Sequence, residues 1–187
     1  MTEATDRKNP QTITFEGHRF HLHLAAVDIQ ARVTELARAI RVTHAKKHPL
    51  LIGTLTGSFV FLADLVRALD IPCEIDFCKL ASYGDACESS GQIRTDLLPR
   101  SDLTGRHVIL VDDIVDTGRT LEFLLEWVEA LAPASIIVVT LLWKKEALRA
   151  NVSIDHVGFS IPNRFVIGYG LDLGQQFRNL QAIYMLE

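Results

Sequence analysis

The sequence contains few cysteines and no pattern that would use them. Its 187 residues include Cys73, Cys78 and Cys87, with no C-x-x-C pair. An odd number of cysteines without close pairs argues against a disulfide framework and against a zinc ribbon. Free thiols are typical of a reducing compartment. We therefore expect a cytoplasmic protein that folds without disulfides.

Long apolar runs and an excess of positive charge are also missing. The start, MTEATDRKNPQT, lacks the apolar core of a signal peptide, and no apolar run approaches the length that spans a bilayer. The formal net charge of -4 provides no overall positive charge that would attract nucleic acid. We expect neither a membrane nor a nucleic acid as partner, and any phosphate recognition should be local.

Along the chain, segments with the apolar pattern of strands alternate with segments that have the pattern of helices. Apolar strands are predicted at LLIGTL (50–55), HVILVDDI (107–114) and SIIVVTLLW (135–143), with the helices FVFLADLVRAL and LEFLLEWVEAL between them. This order predicts one α/β domain with a central parallel sheet flanked by helices. Residues 1–11 are expected to be disordered.

Two other stretches predict structure beside that sheet. VGFSI (157–161), FVIGY (165–169) and AIYML (182–186) are short strand patterns without a long helix between them, so we expect a small β hood. Residues 84–105 are polar and long for a connection. Long connections in compact domains are often functional, and this one is predicted to be a mobile active-site loop.

The segment VILVDDIVDTGRTL (108–121) carries the chemistry. An apolar strand delivers Asp112, Asp113 and Asp116 to its carboxyl end and opens into a Thr-Gly-Arg-Thr turn before a helix. Ligands bind at that edge of α/β sheets, and a helix N-terminus favours a phosphate. Carboxylates beside it suit sugar hydroxyls and magnesium. If they only capped the turn, three carboxylates would stand unpaired at the end of a buried strand.

VILVDDIVDTGRT resembles the phosphoribosyl pyrophosphate signature of the type I phosphoribosyltransferases, which has four apolar residues, two acids and a D-T-G-x-T turn. Three further stretches resemble the hypoxanthine-guanine branch in the same order, namely LTGSF (55–59), ASYG (81–84) and VGFSIPNRFVIGYGLDLGQQFRNL (157–180). The resemblance implies this family's sheet and hood. It also implies transfer of phosphoribose from phosphoribosyl pyrophosphate to hypoxanthine or guanine with Mg²⁺, by a homodimer or homotetramer.

The resemblance also implies roles for residues of the signature. The 5′-phosphate would lie on the turn formed by Thr117, Gly118, Arg119 and Thr120. Asp112 and Asp113 would lie near the ribose hydroxyls and the metal. Asp116 would be the general base that accepts the purine N7 proton.

Further implied roles belong to residues outside the signature. Lys144 would contact the purine O6, Phe165 would stack on the base, and the backbone of Val166 would bind the edge of the base. Asp172 would be a second acid near base and metal. Pyrophosphate would bind Arg178 and the loop of Leu55, Thr56, Gly57 and Ser58, while Ser82 and Tyr83 would begin the lid.

The sequence departs from the branch at three positions. Asp112 stands where glutamate is common, Arg119 where lysine is usual, and Thr56 where lysine or arginine is usual. The first two resemble the pyrimidine operon regulators of the same fold, so an RNA-binding regulator is one alternative. A phosphatase with an aspartyl nucleophile is another. Asp116 favours purine chemistry, because those regulators generally carry tyrosine at that position.

Thr56→Lys tests the third departure. A lysine would add a charge-assisted contact near the pyrophosphate, so we expect the Michaelis constant for phosphoribosyl pyrophosphate to fall up to about tenfold. Steady-state kinetics at saturating magnesium measure this effect. An unchanged or higher constant would mean that the missing cation does not limit binding.

Overall fold

The computed structural model describes residues 10–82 and 93–187. The predicted disorder of residues 1–11 falls almost entirely outside this range, as does Tyr83. The described chain begins just before the first strand, where the carbonyl of Gln11 accepts a hydrogen bond from the Leu22 amide at 2.9 Å. Among the described residues, no helix is both long and apolar enough to cross a bilayer.

A six-stranded sheet forms the centre of the molecule. Its strands are, in chain order, β3 (Leu50–Thr54), β4 (Glu74–Ser82), β5 (Ile93–Leu97), β6 (His107–Val115), β7 (Ser135–Trp143) and β8 (His156–Ser160). Their spatial order is β5-β4-β3-β6-β7-β8, in which every pair is parallel except β4 and β5. The predicted parallel sheet is therefore confirmed, with one antiparallel edge strand added.

Three helices cover the two faces of this sheet. They are α1 (Ala26–His44), α2 (Phe59–Leu69) and α3 (Arg119–Glu129). Alternate strand residues serve opposite faces: Leu51, Ile109 and Val139 share a buried cluster with α1 and α2. Their neighbours Leu50, Val108 and Val138 share a second cluster with α3. The continuous apolar runs in the strands arise because both faces are buried.

The hood is a separate antiparallel sheet of four strands, in the order β1-β2-β10-β9. These are β1 (Thr12–Phe15), β2 (His18–Leu24), β9 (Val166–Ile167) and β10 (Ile183–Leu186). The expectation that VGFSI would join the hood is wrong. That segment is β8, which pairs in parallel with β7 and extends the central sheet. Strand pattern alone did not distinguish the two sheets, because both require short apolar runs.

The segment 84–105, predicted to be one loop, contains strand β5. It runs antiparallel to β4, with Lys79 opposite Leu97. Beyond β5 the Asp76 carboxylate accepts hydrogen bonds from the Arg100 and Ser101 amides at 2.9 and 3.0 Å. These contacts fix the second half of the segment against the sheet. The rest of the predicted mobile loop lies outside the described residues.

The opposite edge of the sheet, β8, is covered by a side chain from α1. Arg32 donates from Nε to the carbonyl of Gly158 at 2.9 Å and from Nη2 to the carbonyl of Val157 at 2.8 Å. Its Nη1 also pairs with Glu35 at 2.7 Å. One guanidinium therefore joins α1 to the edge strand.

Leu65→Ala tests the packing of α2 against the sheet. Leu65 is fully buried, so we expect the free energy of unfolding to fall by about 2–5 kcal/mol. The matched control is Leu131→Ala, which truncates a side chain that is 38% exposed and should cost well under half as much. Denaturant titration of both variants measures the difference, and equal losses would contradict this assignment of the core.

Candidate active site

Lys144 and Asp116 form an ion pair at the carboxyl ends of β6 and β7. The two strands pair in register through Val115 and Trp143, and the Lys144 amide then donates to the Val115 carbonyl at 2.9 Å. Lys144 Nζ lies 2.7 Å from Asp116 Oδ2. Lys144 is only 8% exposed, so its ammonium needs this carboxylate as partner. The pair therefore presents a fixed donor beside a fixed acceptor.

A cavity of about 350 Å³ opens beside this pair. It gathers the predicted base-binding and pyrophosphate-binding positions into one place. Its lining consists of Thr56, Gly57, Asp113, Ile114, Asp116, Lys144, Phe165, Val166, Leu171, Asp172 and Arg178. Phe165 is 43% exposed, which leaves its ring available to stack on a flat ligand.

A smaller cavity of about 100 Å³ lies at the N-terminus of α3. It is lined in part by Asp116, Thr117, Gly118 and Thr120. The Thr117 carbonyl accepts hydrogen bonds from the amides of residues 149 and 150 at 2.9 and 3.1 Å, which hold the turn in place. Helix N-termini bind anions through free N–H groups and the helix dipole. Arg119, the first residue of α3, is exposed next to this turn.

Asp116 lines both cavities, and so does Ile114. A ligand with a flat ring at one end and a phosphate at the other could therefore occupy both cavities at once, with its middle beside Asp116. A mononucleotide has this shape.

Asp112 and Asp113 are adjacent carboxyl groups at the end of β6. Asp112 Oδ1 accepts a hydrogen bond from the Thr54 hydroxyl of β3. Withdrawal from water raises the pKa of Asp112. Withdrawal from water and the neighbouring charge of Asp112 raise the pKa of Asp113 well above its ordinary value, and Arg178 only partly offsets this. The charged form of this acid pair is thus disfavoured in the free site, and a nearby cation would favour it.

The loop after β3 touches the acid pair through Gly57. A Cβ atom on Gly57 would lie 1.8 Å from Asp113 Oδ2, so only glycine leaves room for this carboxylate. The Leu55–Thr56 peptide bond is cis. Ser58 is fully buried, and its hydroxyl donates to the Thr54 carbonyl at 2.6 Å, while the Leu55 amide donates to the Cys78 carbonyl at 2.7 Å. Thr56 and Gly57 are thus the members of the predicted loop that line the cavity.

Arg178 lies on the far wall of the cavity, paired with Asp172. Its Nη2 is 2.8 Å from Asp172 Oδ1, and its Nη1 donates to the Gly170 carbonyl at 2.8 Å. The Gln175 amide donates to the other carboxylate oxygen of Asp172 at 2.8 Å. Asp172 therefore fixes the Arg178 guanidinium at the cavity, and the Gln175 amide fixes Asp172.

The predicted metal ligands do not form one preassembled group. Within residues 10–82 and 93–187, no set of three or more His, Cys, Asp or Glu side chains is arranged to hold a metal ion. Asp113 and Asp172 line the larger cavity, and Asp112 lines the smaller one. Magnesium commonly uses one or two carboxylates together with substrate phosphates and water, and this arrangement fits that mode of binding.

Several residues in or beside the site were not predicted from the sequence. Thr54, which holds Asp112, belongs to an apolar strand pattern and gave no signal of its own. Ile114 and Leu171 are ordinary apolar residues in sequence. The turn at Gly168 and Gly170 gave no positive signal, because its glycines do not open a helix as those of a dinucleotide-binding motif do. Of the two predicted lid residues, Ser82 is the last residue of β4 and Tyr83 lies outside the described residues.

Comparison with known proteins agrees with this geometry. Residues 25–173 match the family described as Phosphoribosyl transferase domain. This match covers most of the 187 residues. The chain therefore belongs to the phosphoribosyltransferase family.

Individual relatives specify the branch. The hypoxanthine-guanine phosphoribosyltransferase of Aquifex aeolicus is 40% identical over 172 residues, which cover 91% of this chain and 97% of that protein. The enzyme of the same name from Bacillus subtilis is 38% identical over 160 residues, or 86% and 89% of the two chains. A crystal structure of the Staphylococcus aureus hypoxanthine phosphoribosyltransferase is 33% identical with a TM-score of 0.85, covering 89% of this chain and 91% of that one. These relatives support the hypoxanthine-guanine branch and neither alternative.

Gly57→Ala tests the contact between the loop and the acid pair. The added methyl group would displace the Asp113 carboxylate, and a displacement of about 1 Å can cost about a hundredfold in rate. We expect binding of phosphoribosyl pyrophosphate, measured by calorimetry with magnesium, to weaken at least tenfold. Gly105→Ala is the control for an added methyl group away from the site: nothing lies within 4 Å of its Cβ atom, and because its φ of 69° strains any side chain, both variants are compared at conditions where they are fully folded. Equal affinities in both variants would rule out the steric argument.

Proposed function

We propose that this chain transfers the phosphoribosyl group of phosphoribosyl pyrophosphate to hypoxanthine or guanine, forming IMP or GMP and releasing pyrophosphate. The observation that carries this proposal is the ion pair of Lys144 and Asp116, 2.7 Å apart, in a cavity that shares Ile114 and Asp116 with the smaller cavity at the N-terminus of α3. The names of the relatives point to the same reaction.

Base recognition follows from the fixed ion pair. Lys144 has donors and no acceptor, so it suits the O6 oxygen of a 6-oxopurine and not the amino group of adenine. Ionised Asp116 has acceptors and no donor, and its side chain is 45% exposed, so it can reach the N7–H of the same ring edge. The exposed ring of Phe165 would stack on the base, and Val166 would supply backbone contacts at its edge.

The sugar substrate would bind on the opposite side of Asp116. Its 5′-phosphate would occupy the turn of residues 117–120, and its pyrophosphate would lie between Gly57 and Arg178. Asp112 and Asp113 would lie near the ribose hydroxyls. Magnesium, held by substrate oxygens with Asp113 and Asp172, would neutralise charge on the leaving pyrophosphate.

The reaction would be a displacement at the anomeric carbon. The purine N9 forms the new bond to that carbon while the bond to pyrophosphate breaks and its electron pair leaves with pyrophosphate. Asp116 takes the N7 proton, and Lys144 stabilises negative charge that develops on O6. Arg178 stays at the leaving group. Closure of the lid would exclude water and limit hydrolysis of the sugar.

The proposal includes a cytoplasmic location and assembly into a homodimer or homotetramer. Light scattering of the purified chain would measure the oligomeric state.

Asp116→Asn tests the proposed general base. The amide keeps the shape but cannot take a proton, so turnover with hypoxanthine should fall about a hundred- to ten-thousand-fold. Affinity for phosphoribosyl pyrophosphate should change little. Asp70→Asn is the matched control, because Asp70 is 82% exposed at the end of α2, where asparagine tolerates the left-handed backbone.

Mononucleotide formation is measured with hypoxanthine, guanine, xanthine, adenine and uracil. Turnover of uracil or adenine in preference to the oxopurines, or near-normal turnover of Asp116→Asn, would overturn the proposal.

A further inference from the structure

A buried tyrosine outside the cavity connects the hood to the helix layer. The Tyr169 hydroxyl donates to Asp64 Oδ2 of α2 at 2.6 Å, across 105 positions of sequence. Gln30 of α1 donates to the same oxygen at 2.7 Å, and Arg67 pairs with the other carboxylate oxygen. Tyr169 is 2% exposed. The segment after β9 is thus attached to two helices through one carboxylate.

Tyr169 occupies the centre of a turn with an unusual backbone. Its φ of 52° lies in the left-handed region, between Gly168 at 97° and Gly170 at 100°. A left-handed tyrosine is unfavourable by itself and persists where its surroundings hold it. The Tyr169 amide donates to the Leu180 carbonyl at 2.9 Å, and the hydroxyl bond to Asp64 supplies the second attachment.

This turn packs directly on the loop that follows β3. A Cβ atom on Gly170 would lie 2.1 Å from the Gly57 carbonyl oxygen, so the two backbones are in close contact. Gly57 in turn leaves room for Asp113 at the cavity. Displacement of the turn would therefore move the loop that borders the proposed pyrophosphate site.

The same turn also holds Arg178. The Gly170 amide donates to the Arg178 carbonyl at 2.9 Å, and Arg178 Nη1 donates back to the Gly170 carbonyl at 2.8 Å. Arg178 then pairs with Asp172 at the cavity wall. Gly170 therefore contacts both sides of the proposed pyrophosphate site, Gly57 on one side and Arg178 on the other.

We infer that Tyr169 is a positioning residue for binding of phosphoribosyl pyrophosphate, and that its hydroxyl bond to Asp64 fixes the distance between the loop at Gly57 and the guanidinium of Arg178. This inference rests on the proposed function. Tyr169 itself does not line the cavity that would hold the base. Burial and the neighbouring Asp64 raise the pKa of Tyr169 above its ordinary value, so the hydroxyl keeps its proton at working pH.

Tyr169→Phe removes only the hydroxyl and is the main test. We expect the Michaelis constant for phosphoribosyl pyrophosphate to rise about five- to twentyfold, since hydrogen bonds to charged groups are among the stronger ones. The constant for hypoxanthine should stay within about twofold, because Asp116 and Lys144 follow β6 and β7 of the central sheet and do not belong to the turn at Tyr169. Tyr184→Phe is the matched control, since it removes a hydroxyl from a fully buried tyrosine of the same hood.

The partner residue gives an independent test. Asp64→Asn keeps an acceptor oxygen for Tyr169 and should retain most of the affinity for phosphoribosyl pyrophosphate. Asp64→Ala should raise the Michaelis constant as Tyr169→Phe does, and the double variant should be no worse than either single one. Additive effects would show that the two residues act separately and would overturn the inference.

A role in overall stability alone predicts a different result. In that case Tyr169→Phe would lower the melting temperature and leave both Michaelis constants unchanged, or raise both equally, and either outcome would overturn the inference.

If the wild-type chain formed no mononucleotide, the proposed function would fail and the inference would be judged by hydrogen exchange without ligand. The Gly170 amide should then exchange at least about tenfold faster in Tyr169→Phe than in wild type or Tyr184→Phe. Equal exchange rates in the three proteins would refute the inference.

Discussion

The ion pair of Lys144 and Asp116 is the interaction on which the site depends. Lys144 follows β7 and Asp116 follows β6, so the pair exists only because these two strands are neighbours in register. Burying an ammonium group is costly unless a carboxylate accompanies it. The central sheet therefore brings the proposed base-recognition donor and proton acceptor together before any substrate arrives. Such preorganisation reduces the reorganisation needed in the transition state.

Negative charge is concentrated around that pair, and the fold accommodates it in different ways. Thr54 holds Asp112 by a hydrogen bond, Arg178 neutralises Asp172, and Asp113 has its pKa raised well above the ordinary value. Asp113 is thus the carboxyl group with the least compensation. A cation near Asp113 would favour the charged form of this carboxyl group, which suits the magnesium-bound substrate proposed above.

The sequence predicted the site best where the functional residues and the strand and helix that position them lie in one short segment. The residues from Val108 to Thr120 showed both a buried strand and the start of a helix, so the position of Asp116 at a sheet edge could be predicted. The sequence did not predict contacts between residues that are far apart along the chain. The assignment of β8 to the central sheet depends on pairing with β7, and the contact of Gly57 with Gly170 joins residues 113 positions apart, so local pattern contains neither fact. Strand β5 was missed because IRTDL has a weak strand pattern that gains its stability from pairing with β4.

The guanidinium of Arg32 on the carbonyls of Val157 and Gly158 also affects how molecules can associate. An exposed edge strand is a template for another chain, and continued pairing of this kind produces fibres. Successive carbonyls of a strand point to opposite sides, so one of these two carbonyls faces the open edge, and there a charged side chain already occupies an acceptor that an incoming strand would need. This contact makes addition of a further strand at the β8 edge less favourable and so reduces the tendency of these molecules to polymerise edge to edge.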